Sequence, residues 1–142
     1  MIGPGDQQWD DVVRAATLVV ATWARDGQFH YYTDLARAVN EELPEAALEP
    51  HGFAMNRLLY DVVLKARGFE PDGPMLSAVV VLKDSNNRQP GPGFWELGQE
   101  LGRYGGSRDE GDRAGFWGEE FAACTQLWTR SRVRQLERWL RS

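Results

Sequence analysis

The strongest constraint on the fold is a stripe of apolar residues near the start of the chain. Between residues 7 and 25, apolar side chains recur every three or four positions, the spacing that places them on one face of an α-helix. The stripe consists of Trp9, Val12, Val13, Ala16, Val19, Val20 and Trp23. Asp6 is a suitable N-cap for this helix and Gly27 a suitable stop. The sequence therefore predicts a first helix with one buried face.

Three further segments carry their own patterns. The aromatic residues 29–32 suit one short strand, and residues 33–43 continue as a second helix that Thr33 is placed to cap. Apolar residues at helical spacing in 55–66 predict a third helix that ends at Gly68.

Residues 75–83 form a short run rich in valine, preceded by Pro74 and followed by polar residues. Such a run predicts a strand that is buried on both faces and central to its sheet. Two prolines and two glycines in residues 90–93 then require a turn. A short helix is expected to begin at Phe94.

The last third of the chain divides at a glycine-rich stretch. Residues 102–115 hold five glycines among charged residues, which predicts a long mobile loop. Helical spacing resumes over residues 116–128, and a final helix follows. The apolar side of that helix consists of Val133, Leu136 and Leu140. We therefore expect one domain with a core (1–102), a loop (103–115) and C-terminal helices (116–142).

The element order of the core, helix, strand, helix, helix, strand, is the order of a winged-helix domain. The sequence thus predicts an α+β fold, a winged-helix-like core with a C-terminal helical extension. In such a core, the third helix is the element presented to a partner.

Three segments also match a recurring pattern. They are Tyr32-Thr33-Asp34-Leu35-Ala36, Pro74-Met75-Leu76-Ser77-Ala78-Val79-Val80-Val81 and Pro90-Gly91-Pro92-Gly93-Phe94-Trp95. Over about residues 29–102 the chain thereby resembles small, functionally uncharacterised bacterial domains that are winged-helix-like. The resemblance implies that fold, and it implies no activity and no catalytic residues.

Composition narrows the class of protein. The chain has 142 residues, 42% hydrophobic and 26% charged, which is ordinary for one globular domain and excludes wholesale disorder. The single cysteine, Cys124, excludes a disulfide framework and a multi-cysteine zinc cage, and its apolar neighbours indicate a buried structural thiol. The chain shows neither a signal peptide nor a run long enough to span a membrane, so we expect a cytoplasmic protein without membrane partners.

Charge is distributed unevenly along the chain. The net charge is −5, which argues against a general nucleic-acid coat. Residues 1–50 carry three basic and nine acidic groups, whereas residues 127–142 carry five basic groups and one acidic group. The sequence therefore places a basic end on an acidic body.

Four arginines of that basic end form one stripe. On a helix, Arg130, Arg134, Arg138 and Arg141 point within about 80° of one another and away from the apolar side. The stripe suits phosphates, an acidic protein surface or the protein's own carboxylates, and a solvated helix face is the plainer alternative. Trp139 is an expected partner anchor on the same helix, with burial in the core as the alternative.

The third helix adds two candidate partner-binding cations. Arg57, Asp61 and Lys65 follow at intervals of four residues, opposite the apolar face. Arg57 and Lys65 are therefore candidates for partner contact, although Asp61 would repel phosphate. The alternative is a set of salt bridges within the helix.

No pattern in the sequence predicts a catalytic residue, a metal site or a cofactor. The Gly91-Pro92-Gly93 turn lacks the Lys-Ser/Thr that follows a phosphate-binding loop. A metal-nuclease pattern fails at Val81, where a second carboxylate should stand. No local motif links His30, His51 and Cys124 into a nucleophile and base.

These observations favour a non-enzymatic interaction module. We expect it to bind a protein partner or a second copy of itself somewhat more readily than nucleic acid. One alternative is an acidic immunity or antitoxin protein that neutralises a basic effector, and another is a DNA-binding winged-helix regulator. An enzyme with residues 102–115 as a lid is a further alternative, but the sequence identifies no small-molecule substrate.

Overall fold

The computed structural model describes residues 7–83 and 89–142. Within these ranges the chain forms six α-helices and two strands of two residues each. They are α1 (Gln7–Arg25), β1 (His30–Tyr31), α2 (Tyr32–Glu42), α3 (Phe53–Phe69), β2 (Val80–Val81), α4 (Gly93–Glu100), α5 (Glu110–Leu127) and α6 (Arg130–Arg141). Single 3₁₀ turns occur at Pro44–Ala46 and Leu76–Val79. No helix of this part of the chain is both long and apolar enough to cross a membrane.

The α+β, winged-helix-like prediction is wrong. The described residues are 70% helical, and their two strands pair in parallel, with His30 opposite Val80 and Tyr31 opposite Val81. A wing is an antiparallel hairpin, whereas parallel strands require a long crossover between them. Here that crossover contains α2 and α3, and the molecule is a helical domain with a minimal two-stranded sheet.

The valine-rich run explains the error. Its first residues form the 3₁₀ turn Leu76–Val79, and only Val80–Val81 are extended. Every residue from Met75 to Val81 is buried, because the run passes between α1, α3 and α5. The apolar composition of the run therefore indicates that it is buried. It does not indicate whether the run is a strand, because other buried segments are equally apolar.

Helix α1 lies at the centre of the domain and packs against α2, α3, α5 and α6. Its inner positions Val12, Ala16 and Val20 are at most 1% exposed, as the stripe predicts. Trp23 is only half-buried and stacks on His30 with ring centroids 4.1 Å apart. The predicted cap Asp6 lies outside the described residues. Gly27 follows the helix with φ +71°, a conformation that glycine adopts without strain.

Two predicted boundaries differ from the structure. Helix α3 continues through Gly68 to Phe69, and the ring of Trp139 packs 3.5 Å from where a Cβ of Gly68 would stand. Helix α5 begins at Glu110, so the second part of the predicted loop 103–115 is helical. The side chain of Asp109 accepts a hydrogen bond from the Asp112 N–H at 3.1 Å, and this cap starts the helix despite its glycines. The polar residues 84–88, between the valine-rich run and the predicted turn at 90–93, lie outside the described ranges.

A buried ion pair fastens α5 to the rest of the domain. Arg103 Nε and Nη2 donate to the two carboxylate oxygens of Glu120 at 2.6 and 2.8 Å, and Glu120 is 4% exposed. The same carboxylate accepts the Met75 N–H at 3.2 Å. The hydrogen bond with Glu120 raises the pKa of Arg103. One carboxylate thus joins three segments that are distant in sequence.

We predict that Glu120→Ala destabilises the protein by about 2–3 kcal/mol, because it leaves Arg103 and a buried amide without their acceptor. The expected loss is at the lower end for a buried pair, since the Arg103 side chain is 27% exposed and water screens it in part. Urea unfolding followed by circular dichroism measures it. Glu119→Ala, an exposed neighbour on the same helix, is the control and should change stability by less than about 0.5 kcal/mol. Equal effects of the two variants would contradict this role of Glu120.

Candidate functional site

The four predicted arginines of α6 form an exposed basic ridge, here called the α6 ridge (Arg130, Arg134, Arg138 and Arg141). Arg141 pairs with Glu137 on the same helix at 2.9 Å. Arg130, Arg134 and Arg138 form no ion pair with any residue in the described ranges. The ridge therefore presents three guanidinium groups that the rest of the described chain does not neutralise.

The position of the ridge follows from how α6 is held. The Thr129 side chain caps the helix by accepting the Arg132 N–H at 3.2 Å. Val133, Leu136 and Leu140 are 6%, 0% and 6% exposed, and α6 packs against α1. With about 100° of rotation per residue, an inner face fixed at these positions turns the arginines outward.

Trp139 lies on the flank of α6 that meets α3. Its ring centroid is 5.4 Å from that of Phe69, and Lys65 Nζ lies 5.3 Å from the indole centroid. The side chain remains 36% exposed, so one edge of the indole faces solvent. The structure thus brings together Lys65 and Trp139, two residues predicted independently from different helices. Such a cation–π contact contributes about 0.5–1 kcal/mol at an exposed site.

Arg57 lies apart from this group. Its guanidinium pairs with Asp61 at 3.3 Å and stands 4.9 Å from the Tyr60 ring centroid. The Asp61 carboxylate also accepts the indole N–H of Trp9 at 2.8 Å. Arg57 and Lys65 are about 12 Å apart along the helix axis. The three predicted charges of α3 therefore divide between an ion pair and the Trp139 contact.

Sequence reasoning missed Arg132, which joins α6 to the end of α3. Its guanidinium pairs with Glu70 and lies 4.4 Å from the Phe69 ring centroid. Gln135 also accepts a hydrogen bond from it. The available signal was its direction on the helical wheel, since Arg132 points well away from the other arginines of α6. Its contacts fix the flank on which Trp139 lies.

The other indoles are mostly internal. Trp9, Trp95 and Trp128 are at most 5% exposed, and the half-buried Trp117 donates its N–H to Ala78 O at 2.7 Å. Of the C-terminal indoles, Trp139 is therefore the one suited to a partner contact.

The residues considered for nucleophilic catalysis have unrelated surroundings. His30 stacks on Trp23, His51 lies beside Tyr32 with ring centroids 6.1 Å apart, and Cys124 Sγ donates to Met75 O at 3.3 Å. Residues 7–83 and 89–142 contain no group of three or more His, Cys, Asp and Glu side chains able to hold a metal ion. The Gly91 N–H, in the turn considered above for phosphate binding, donates to Tyr32 Oη at 2.9 Å and so links the turn to α2.

Comparisons with protein-family models, curated proteins and solved structures found no match to this chain. The resemblance to uncharacterised bacterial domains therefore stays a prediction, while the winged-helix fold that it implied is excluded by the helical architecture.

Cys124 should be chemically inert in the folded protein. Its side chain is 0% exposed, and burial, followed by the charge of Glu120, raises the pKa of the thiol. At pH 8 the thiolate fraction is then negligible, and the thiolate is the reactive form. We predict that iodoacetamide alkylates Cys124 only as fast as the protein unfolds, which mass spectrometry would follow with and without denaturant.

The matched control for this measurement is Cys124→Ala combined with Ala122→Cys, which moves the single thiol to an exposed position on the same helix. The control should react without denaturant. Rapid native-state alkylation of Cys124 itself would mean that the thiol is accessible and would contradict its structural role.

Proposed function

We propose that this protein is a non-enzymatic interaction module that binds an acidic segment of a partner protein through the α6 ridge, with Trp139 and Lys65 at the edge of the contact. The observation that carries the proposal is that Arg130, Arg134 and Arg138 form no ion pair with the described residues of a protein whose net charge is −5.

The arginines of α6 divide into two groups. Arg132 and Arg141 are paired with Glu70 and Glu137, and the other three, Arg130, Arg134 and Arg138, face solvent. The chain has 21 acidic residues, so it contains enough carboxylates to pair with these arginines. Their arrangement supports an external ligand, because successive ridge residues stand about 6 Å apart on a rigid helix and each guanidinium can bind a carboxylate through two hydrogen bonds.

Charge also supports a protein partner over nucleic acid. A nucleic acid extends beyond the ridge, and its phosphates would approach an acidic body that repels them. An acidic peptide segment needs only the ridge and its flank. Trp139 adds apolar area there, which suits a partner that carries an apolar residue beside its carboxylates.

A second candidate function is neutralisation of a basic effector, as an immunity or antitoxin protein does. It is favoured by Glu41, Glu42, Glu45 and Glu49, which are exposed and have no ion-pair partner within the described residues. This function uses the acidic body, so variants of the α6 ridge should leave it intact.

The test of the leading proposal is charge reversal on the ridge. We predict that Arg130→Glu/Arg134→Glu/Arg138→Glu weakens binding of a fluorescein-labelled Glu/Leu peptide by at least about 10-fold, since each lost contact is worth roughly 0.5–1 kcal/mol. Fluorescence anisotropy at about 50 mM salt measures the affinity. A separate titration with labelled duplex DNA gives the affinity for nucleic acid for comparison.

The control is Arg25→Glu/Arg37→Glu/Arg108→Glu, which changes the net charge by the same amount at exposed positions on other segments. It should retain peptide binding within about 3-fold. If both variants lost the same amount of peptide affinity, the change in net charge alone would explain the loss, and a specific contact with the α6 ridge would be contradicted. Tighter binding of DNA than of the peptide would instead overturn the preference for a protein partner.

A further inference from the structure

A pocket of about 240 Å³ lies between α3 and α4, away from the α6 ridge. Its apolar walls come from both helices and from β2. They include Leu59, Tyr60, Phe94, Leu97 and Val80. Phe53, which is 76% exposed, stands at the mouth. The volume suits a single ring with a short substituent, because sites for drug-sized ligands are usually larger.

Two hydroxyl groups lie among these apolar walls. Ser77 is 5% exposed and lines the pocket, and its hydroxyl has no hydrogen-bond partner in the part of the chain that the structure describes. Tyr32 is 6% exposed, and its oxygen accepts the Gly91 N–H, while no described group accepts its proton. Both hydroxyl groups line the pocket with hydrogen-bonding capacity left over, so each can bond to a polar atom of a ligand there.

The position of Tyr32 is enforced by the turn that faces it. A Cβ at Gly91 would stand 2.7 Å from Tyr32 Oη, so only glycine allows this close approach of the backbone. The hydrogen bond from Gly91 then holds the phenol in place. The Tyr32 hydroxyl is therefore held in place before any ligand binds.

The charge at the mouth is negative. Arg57 lines the α3 side, but it is paired with Asp61. Glu96 and Glu100 on α4 are exposed and have no ion pair within residues 7–83 and 89–142. A cationic group at the mouth is therefore favoured over an anionic one.

We propose that this pocket binds a small aromatic amine with a hydroxyl group on its ring. The ring lies between the apolar walls and its hydroxyl bonds to Ser77 and Tyr32. The ammonium group lies near Glu96 and Glu100. This site shares only Arg57 with the residues predicted from sequence, and its existence is independent of the α6 ridge.

The test uses three probes on the full chain: tyramine, phenethylamine and 3-(4-hydroxyphenyl)propionate. Titrations followed by amide chemical shifts in NMR should give a Kd for tyramine of about 0.1–1 mM, the range expected for roughly ten non-hydrogen atoms. Phenethylamine lacks the ring hydroxyl and should bind about 5- to 10-fold more weakly. The propionate replaces the ammonium with a carboxylate and should bind at least about 10-fold more weakly.

Ser77→Ala identifies the hydroxyl contact. The variant should fold normally, because it removes a buried hydroxyl that has no partner in the described chain. It should lower tyramine affinity about 5-fold and leave phenethylamine affinity unchanged. Glu96→Gln/Glu100→Gln changes two exposed positions. It should weaken the binding of both amines and reduce the difference in affinity between tyramine and the propionate.

Several results would overturn the proposal. They are no shifts near the α3–α4 pocket up to about 10 mM tyramine, equal affinity for the three probes, and a tyramine affinity that Ser77→Ala does not change. Failure of the α6 ridge variants would not produce any of these outcomes, since they concern a different face of the molecule.

Discussion

The structure depends on the burial of helix α1 along most of its circumference. Four helices pack around it, and its inner positions alternate between valine and alanine, with Val12, Ala16, Val20 and Ala24 at most 1% exposed. The alanines allow neighbouring backbones to approach closely, and the valines fill the space between them. A central helix of this kind leaves the neighbouring helices exposed on their outer faces. The ridge on α6 and the pocket beside α3 both lie on such faces.

The sequence predicted those parts of the fold that depend on local periodicity. The apolar stripes of α1, α3 and α6 identify helices because each helix buries one face against a neighbour. The segment Leu76–Val79 was predicted incorrectly as part of a strand, because β-branched composition is favoured both in strands and in any fully buried stretch, and only its neighbours decide between them. The start of α5 was missed because glycines dominated the pattern, while the Asp109 cap that fixes the start is one hydrogen bond.

In the candidate site, too, the sequence predicted the features that depend on local periodicity and missed those that depend on tertiary contacts. The outward direction of Arg130, Arg134 and Arg138 follows from the period of α6 alone. The pairing of Arg132 with Glu70 depends on tertiary contact between residues 62 positions apart, and no local pattern contains that information. The contact between Lys65 and Trp139 is likewise tertiary. Ser77 gave no signal in the sequence, because an unpartnered hydroxyl is recognisable only when all of its neighbours are known.

The α6 ridge and the α3–α4 pocket differ in the contacts that fix their side chains. This difference affects how each surface would bind a ligand. The ridge stands on a helix whose inner face is buried and whose flank is tied to α3 through Arg132, so its cations have little backbone freedom to lose on binding. The pocket has one wall on α4, a helix of only eight residues, and another on the turn that Gly91 fastens to Tyr32. Its inner polar groups are fixed by the core, whereas Phe53 at its mouth is largely exposed. Selectivity for a ligand would therefore come from the depth of the pocket, and adaptation to ligand size from its rim.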